Sequence, residues 1–138
     1  MSESLAFVFP GQGSQSLGML ADLAERHPVV IDTFAEASEG AGIDLWALAQ
    51  QGPEAQLHQT EFTQPALLAA GVAVWRAWQA SGGAKPAMLA GHSLGEYSAL
   101  VAAGALPLDE AAKLVRTRGQ LMQAACPPGT GAMAAVIG

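Results

Sequence analysis

An α/β fold, with a parallel sheet packed by helices, is predicted by three observations. Two short apolar runs, Leu5–Phe9 and Ala87–Ala90, end in turn-forming residues. The chain between and after them carries apolar residues at helical spacing, and strands separated by helical segments imply parallel pairing. The content is 51% apolar with only 13% charged residues, enough to bury one core in 138 residues.

The elements follow in order. Leu5-Ala6-Phe7-Val8-Phe9 is a compact apolar run stopped by Pro10-Gly11, a buried strand running into a loop. Helical spacing begins near Gly18 with Met19, Leu20, Leu23 and Ala24 and stops about Pro28. It resumes through Val29, Val30, Phe34 and Ala37 to the Gly40-Ala41-Gly42 break. A short piece spans Leu45 to Gln50, after which Pro53 and Thr60 to Thr63 read as irregular chain. Gln64-Pro65 opens a helix with Leu67, Leu68, Val72, Trp75 and Trp78 on one side, Pro65 suiting its first turn and Gly82-Gly83 its exit. The run Ala87-Met88-Leu89-Ala90 is a second strand, Glu96 to Ala103 a helix, and Leu108 to Ala125 another. The last apolar stretch, Ala132 to Gly138, reads as a strand without a successor to pair with, so the sequence looks truncated.

Charge and cysteine usage narrow the function. A net charge of −6 and six dispersed basic residues argue against nucleic acid or an anionic membrane surface as a partner. The single cysteine, Cys126, excludes an internal disulfide and fits a reducing compartment. Met1-Ser2-Glu3-Ser4 is polar and acidic where a secretory signal is basic, and no apolar run reaches spanning length, so a cytoplasmic protein is expected.

The most informative stretch is Ala90-Gly91-His92-Ser93-Leu94-Gly95, which sets a serine between two glycines where a strand turns into a helix. Such a nucleophile elbow strains the serine backbone to push its hydroxyl outward, and a larger residue two positions either side collides as helix packs on strand. The next amide, Leu94, then faces the reacting carbonyl. Ser93-Leu94-Gly95-Glu96 also fits a capping box, but ordinary capping needs neither glycine.

Gly11-Gln12-Gly13-Ser14-Gln15 invites a phosphate-cradle reading and fails it. Met19 stands where a Walker lysine is required, and Ser16 occupies the third glycine of a dinucleotide fingerprint. In a strand-loop-helix unit this loop lies at the sheet edge where the elbow emerges, and its backbone can donate a second oxyanion hydrogen bond. A plain glycine-rich turn is the alternative.

Arg118 shares its helical stripe with Ala111, Leu114, Val115, Leu121, Met122 and Ala125, all apolar. Arg116 shares its own with Asp109, Lys113, Gln120 and Gln123, an ordinary solvated face. A guanidinium in apolar surroundings keeps its charge and needs an anion of fork geometry, whether a protein carboxylate such as Glu96 or a substrate acid. A third reading lays its stem on apolar surface with the head in water, and the residues alone leave these open. No histidine offers a clear base: His27 precedes Pro28 at a helix end, His58 sits in a polar loop, and the side chain of His92 diverges from that of Ser93. In hydrolases with this elbow the base follows the serine, and no histidine follows residue 93. Cys126, at a helix C-terminus where the dipole disfavours a thiolate, is a poor rival nucleophile.

From Phe7 to Gly138 the chain resembles the N-terminal part of the bacterial malonyl-CoA:acyl carrier protein transacylases of type II fatty acid synthesis. The likeness rests on Phe9-Pro10-Gly11-Gln12-Gly13-Ser14-Gln15, Thr63-Gln64-Pro65-Ala66-Leu67, Gly91-His92-Ser93-Leu94-Gly95-Glu96-Tyr97-Ser98-Ala99-Leu100, Arg118-Gly119 and Gly129-Thr130-Gly131-Ala132-Met133-Ala134-Ala135. The resemblance implies an α/β-hydrolase-like acyltransferase domain over residues 1–131 and the first strand of a ferredoxin-like small domain over 132–138. It implies Ser93 as acyl-accepting nucleophile, Leu94 and Gln12 as oxyanion amides, Arg118 as the grip on the malonyl carboxylate, and Gln64 near the site. The family's catalytic histidine has no counterpart here. The implied reaction is ping-pong transfer of malonyl from coenzyme A to Ser93 and on to the phosphopantetheine thiol of acyl carrier protein, with no metal or redox cofactor. The remainder of the same protein is a further expected partner. A serine esterase or thioesterase, and a non-catalytic folding or binding piece, are the alternatives.

Overall fold

The computed structural model describes residues 4–138, so Met1 to Glu3 of the polar N-terminus lie outside the described residues. The expected α/β arrangement is present. Strand β1 (Ala6–Phe9) leads through helices α1 (Ala21–Arg26), α2 (Val29–Ala41), α3 (Leu45–Gln51), α4 (Glu54–Leu57) and α5 (Thr60–Ala80) to strand β2 (Met88–Gly91). Helices α6 (Leu94–Ala102) and α7 (Leu108–Ala125) follow. The two strands pair in parallel, Ala6 opposite Met88 and Phe9 opposite Gly91. A parallel pair needs a crossover, and α1 to α5 supply it.

Period-two alternation sorts the sheet residues. Phe7, Phe9 and Leu89 face inward, with the Phe7 ring edge-on to Trp75 at 5.2 Å between centroids and Ala99 of α6 closing the cluster. Val8 and Met88 point the other way and are 74% and 65% exposed. The described helices therefore cover one face of the sheet, not both. Helix α5 is the axis of the main core: Thr63 to Ala70 are buried without a break, among them Leu67 and Leu68, and α2, α6 and α7 pack around it. A stretch buried on every side, as Thr63 to Ala70 is, shows no clean amphipathic stripe, so periodicity locates it poorly.

That is why its start departs from expectation. Thr60 to Thr63 form the first turn of α5 rather than irregular chain, and Pro65 lies inside the helix rather than in its first turn. Thr63 Oγ1 donates to the Leu57 and Gln59 carbonyls at 2.5 and 3.0 Å, tying α4 to α5 at this corner. The chain after Pro53 likewise forms the short helix α4. Trp78, expected on the buried side of α5, is 38% exposed and donates from its indole to the Ala84 carbonyl.

Two further expectations are corrected. The stripe that α7 buries is Leu108, Ala111, Ala112, Val115 and Gly119, while Leu114 and Leu121 are exposed. Arg116 is accordingly not on a solvated face: it donates to the Ala41 carbonyl, pairs with Glu61 at 3.6 Å and stacks over the Phe62 ring. Small residues explain the rotation, because a Cβ on Gly119 would lie 2.6 Å from the Glu61 Cα, so α7 meets α5 along its glycine side. Residues 132–138 form no strand and are exposed throughout. A strand exists only within a ladder, and the one ladder among the described residues is that of β1 with β2.

Candidate active site

Ser93 occupies the turn between β2 and α6 with φ 53° and ψ −117°, a left-handed backbone that costs an L-residue about 1–3 kcal/mol. The glycines around it fit the elbow. A Cβ on Gly91 would fall on the Gly95 carbonyl, and one on Gly95 on the Phe9 carbonyl with the Pro10 oxygen 2.8 Å away. Strand, turn and helix are thus pressed together at backbone contact. Gly95→Ala is expected to destabilise the protein by about 3 kcal/mol or more, because backbone cannot yield as a side chain does. Chemical denaturation reads this, and a loss below about 1 kcal/mol would contradict the tight packing.

The serine side chain is exposed and makes no capping hydrogen bond, so the capping box does not form. Its Oγ instead accepts from Arg118 Nη2 at 3.1 Å. Leu94 is the first residue of α6, so its backbone amide has no intrahelical acceptor.

Arg118 is half-buried on α7. Its Nη1 donates to Gln64 Oε1 at 2.8 Å, and its guanidinium carbon stands 5.4 Å from the Tyr97 ring centroid. Gln64 is 1% exposed, and its Nε2 reaches Met122 Sδ at 3.1 Å, which turns Oε1 toward the arginine. Among the described residues no carboxylate pairs with Arg118, Glu96 included. Every partner of this cation is neutral. The fork therefore carries a charge that no described protein group matches, and a planar acid suits its geometry. Tyr97 and Met122 gained these positions only on folding. Met122 lay on the stripe drawn through Arg118, but its sulfur as a hydrogen-bond acceptor left no trace in the pattern.

The Gly11 to Gln15 loop presses on the elbow, since a Cβ on Gly11 would lie 2.9 Å from the His92 carbonyl oxygen and 3.6 Å from Ser93 Cβ. Gln12 sends its side chain to Thr60, donating from Nε2 to Oγ1 at 3.2 Å. Beside it opens a cleft of about 430 Å³ lined by Gln12, His58, Thr60, Met122, Gln123 and Cys126. Ser93, Arg118 and Gln64 thus form one connected cluster, with Gln12 on the adjoining loop. His58 closes α4, bonded to Gln15 and Glu54, and among the described residues no histidine hydrogen-bonds Ser93. Cys126 is exposed at the C-terminal cap of α7. No group of metal-ligating side chains occurs among the described residues, and no helix there is long and apolar enough to cross a membrane.

Comparison with known proteins places these features in a context. Residues 6–137 match the acyl transferase domain. The chain is 64% identical over 133 residues to the malonyl CoA-acyl carrier protein transacylase of Escherichia coli K12, covering 96% of this chain and 43% of that protein. A crystal structure of malonyl-CoA:acyl carrier protein transacylase from Xanthomonas oryzae superposes with a TM-score of 0.90 at 73% identity, over 94% of this chain and 41% of the other. A malonyl-transacylase solved in complex with its type II PKS acyl carrier protein matches at a TM-score of 0.88 and 64% identity, over 92% of this chain and 41% of that one. The chain therefore spans less than half the length of these relatives.

Proposed function

Because the chain belongs to the acyl transferase domain family, we propose that it carries the nucleophile and the acid-recognition half of a malonyl-CoA:acyl carrier protein transacylase of fatty acid synthesis. The observation that carries this reading is the 3.1 Å contact between the Ser93 hydroxyl and an arginine whose partners are all neutral. In malonyl thioesters a single methylene separates the reacting carbonyl from the free carboxylate. A fork adjacent to the nucleophile suits that spacing.

The reaction runs in two displacements. Ser93 Oγ attacks the malonyl carbonyl, and the oxyanion accepts hydrogen bonds from the Leu94 and Gln12 amides while Arg118 holds the carboxylate bidentately. The thiol of coenzyme A leaves, and the phosphopantetheine thiol of acyl carrier protein then attacks the malonyl-serine ester and restores the hydroxyl. Electrons are only redistributed between thioester, ester and thioester, so the chemistry calls for no redox cofactor. Gln64 fixes the arginine through its amide oxygen. The relative solved with its carrier protein supports acyl carrier protein as the acceptor.

The same reading takes residues 1–131 as part of an α/β-hydrolase-like domain, supported by the strand-elbow-helix unit, and residues 132–138, which leave the packed body, as the start of a ferredoxin-like small domain. The lone cysteine supports a cytoplasmic setting. A plain serine esterase is disfavoured, since a neutral acyl group would leave the Arg118 charge unmatched.

The test is an intact mass of the full-length protein after incubation with malonyl-CoA. One malonyl added at Ser93, and its transfer to carrier protein, are expected. Hydrolysis of simple esters without loading of the carrier would overturn the reading. The 138-residue chain by itself is expected to transfer malonyl negligibly, because none of the histidines among its described residues bonds the nucleophile, and robust turnover by it would contradict that account.

A further inference from the structure

The Gly11 to Gln15 loop has no helix or strand to shape it, so its own side chains and its neighbours must hold it. The Gly13 N–H donates to Gln15 Oε1 at 2.8 Å. That bond uses the amide oxygen and turns Gln15 Nε2 toward His58 Nδ1, 2.8 Å away. An amide nitrogen is a donor only, so Nδ1 must accept and the ring proton must sit on Nε2. Nε2 faces Glu54 Oε1 at 3.4 Å, a carboxylate one helical turn back on α4, which favours that tautomer. The polarity of the chain is thus fixed from the Glu54 carboxylate through His58 and Gln15 to a backbone amide of the loop. A second strut, Gln12 Nε2 to Thr60 Oγ1, lands on the same α4–α5 corner.

We infer that His58 is a positioning residue for acyl transfer: its Nδ1, accepting from Gln15, holds the loop so that the neighbouring Gln12 amide meets the oxyanion. The inference rests on the malonyl-transfer reading above. It assigns work to a histidine that the nucleophile does not use. An oxyanion donor acts on charge that develops only in the transition state, so loosening the loop lowers kcat and spares KM.

The full-length protein is tested as three variants. His58→Leu removes the acceptor, His58→Asn places Oδ1 where Nδ1 stood, and Gln15→Met breaks both links. His58→Leu is expected to lower kcat for malonyl transfer about fivefold at constant KM, as suits one partly exposed hydrogen bond. His58→Asn should recover to within about twofold of the wild type, and adding His58→Leu to Gln15→Met should cost nothing more. An unchanged kcat in His58→Leu, an equally impaired His58→Asn, or a loss confined to KM would overturn the inference. Amide exchange of the 11–15 segment separates this from failure of the functional reading. If the wild type forms no malonyl-enzyme, faster exchange in His58→Leu but not in His58→Asn still supports the hold, and equal exchange in all variants refutes it.

Discussion

On the proposed function, replacing Ser93 by alanine in the full-length protein is expected to abolish the malonyl-enzyme and lower turnover by roughly 10⁴-fold or more, since loss of a nucleophile leaves only binding and oxyanion stabilisation. Intact mass and a carrier-protein loading assay read it. The fold tolerates the change, because the Ser93 side chain is exposed and its one side-chain bond is to Arg118. Alanine also keeps the strained φ of 53°, so thermal stability stays near the wild-type value. Ser93→Gly makes a sharper companion. Glycine enters this backbone region freely, so that variant gains roughly 1 kcal/mol of stability while remaining as inactive as the alanine. A stable, acylated Ser93→Ala would move the nucleophile elsewhere. A Ser93→Gly no more stable than Ser93→Ala would show that the elbow is not strained.

Arg118→Ala has the second-largest effect, and it is selective. Removing one member of a desolvated charge pair costs roughly 2–5 kcal/mol, and the half-exposed setting of Arg118 places it near the lower end, about 10²-fold in kcat/KM for malonyl-CoA. Acetyl-CoA has no carboxylate to lose, so its transfer falls by only a few-fold. The variant also strips Gln64 Oε1 of its donor inside the core, which adds a modest loss of stability common to both substrates. Competition between malonyl-CoA and acetyl-CoA, measured on one preparation, isolates the selective part. Equal losses for both acyl groups would leave the arginine with a structural role alone.

The sharp strand-to-helix turn at Ser93 was legible in the sequence because its cause is local. Gly91 and Gly95 are demanded by close approach of β2 to α6 and of α6 to β1, and such packing leaves a glycine wherever it occurs. The helix carrying Arg118 was legible to its ends, Leu108 and Ala125. Its rotation was not. Leucines at 114 and 121 advertise an apolar face, yet α7 turns Ala111, Ala112 and Gly119 inward, since small residues let it approach α2 and α5 closely. Arg116 was misread for the same reason, and the start of α5 was missed because the run from Thr63 to Ala70 is buried on every side and has no polar face to mark its phase.

The amino-acid order determined by itself where the chain turns sharply, which hydroxyl is pushed outward, and that the core is α/β, because each depends on residues within a few positions of one another. Only the tertiary structure decided that Arg118 reaches Ser93 across 25 positions, that Gln64 and Tyr97 rather than a carboxylate surround it, and that His58 lies within hydrogen-bond distance of Gln15. Those contacts depend on how α5, α6 and α7 rotate about one another. That rotation is set by the summed packing of many small side chains, which no single stretch of sequence contains.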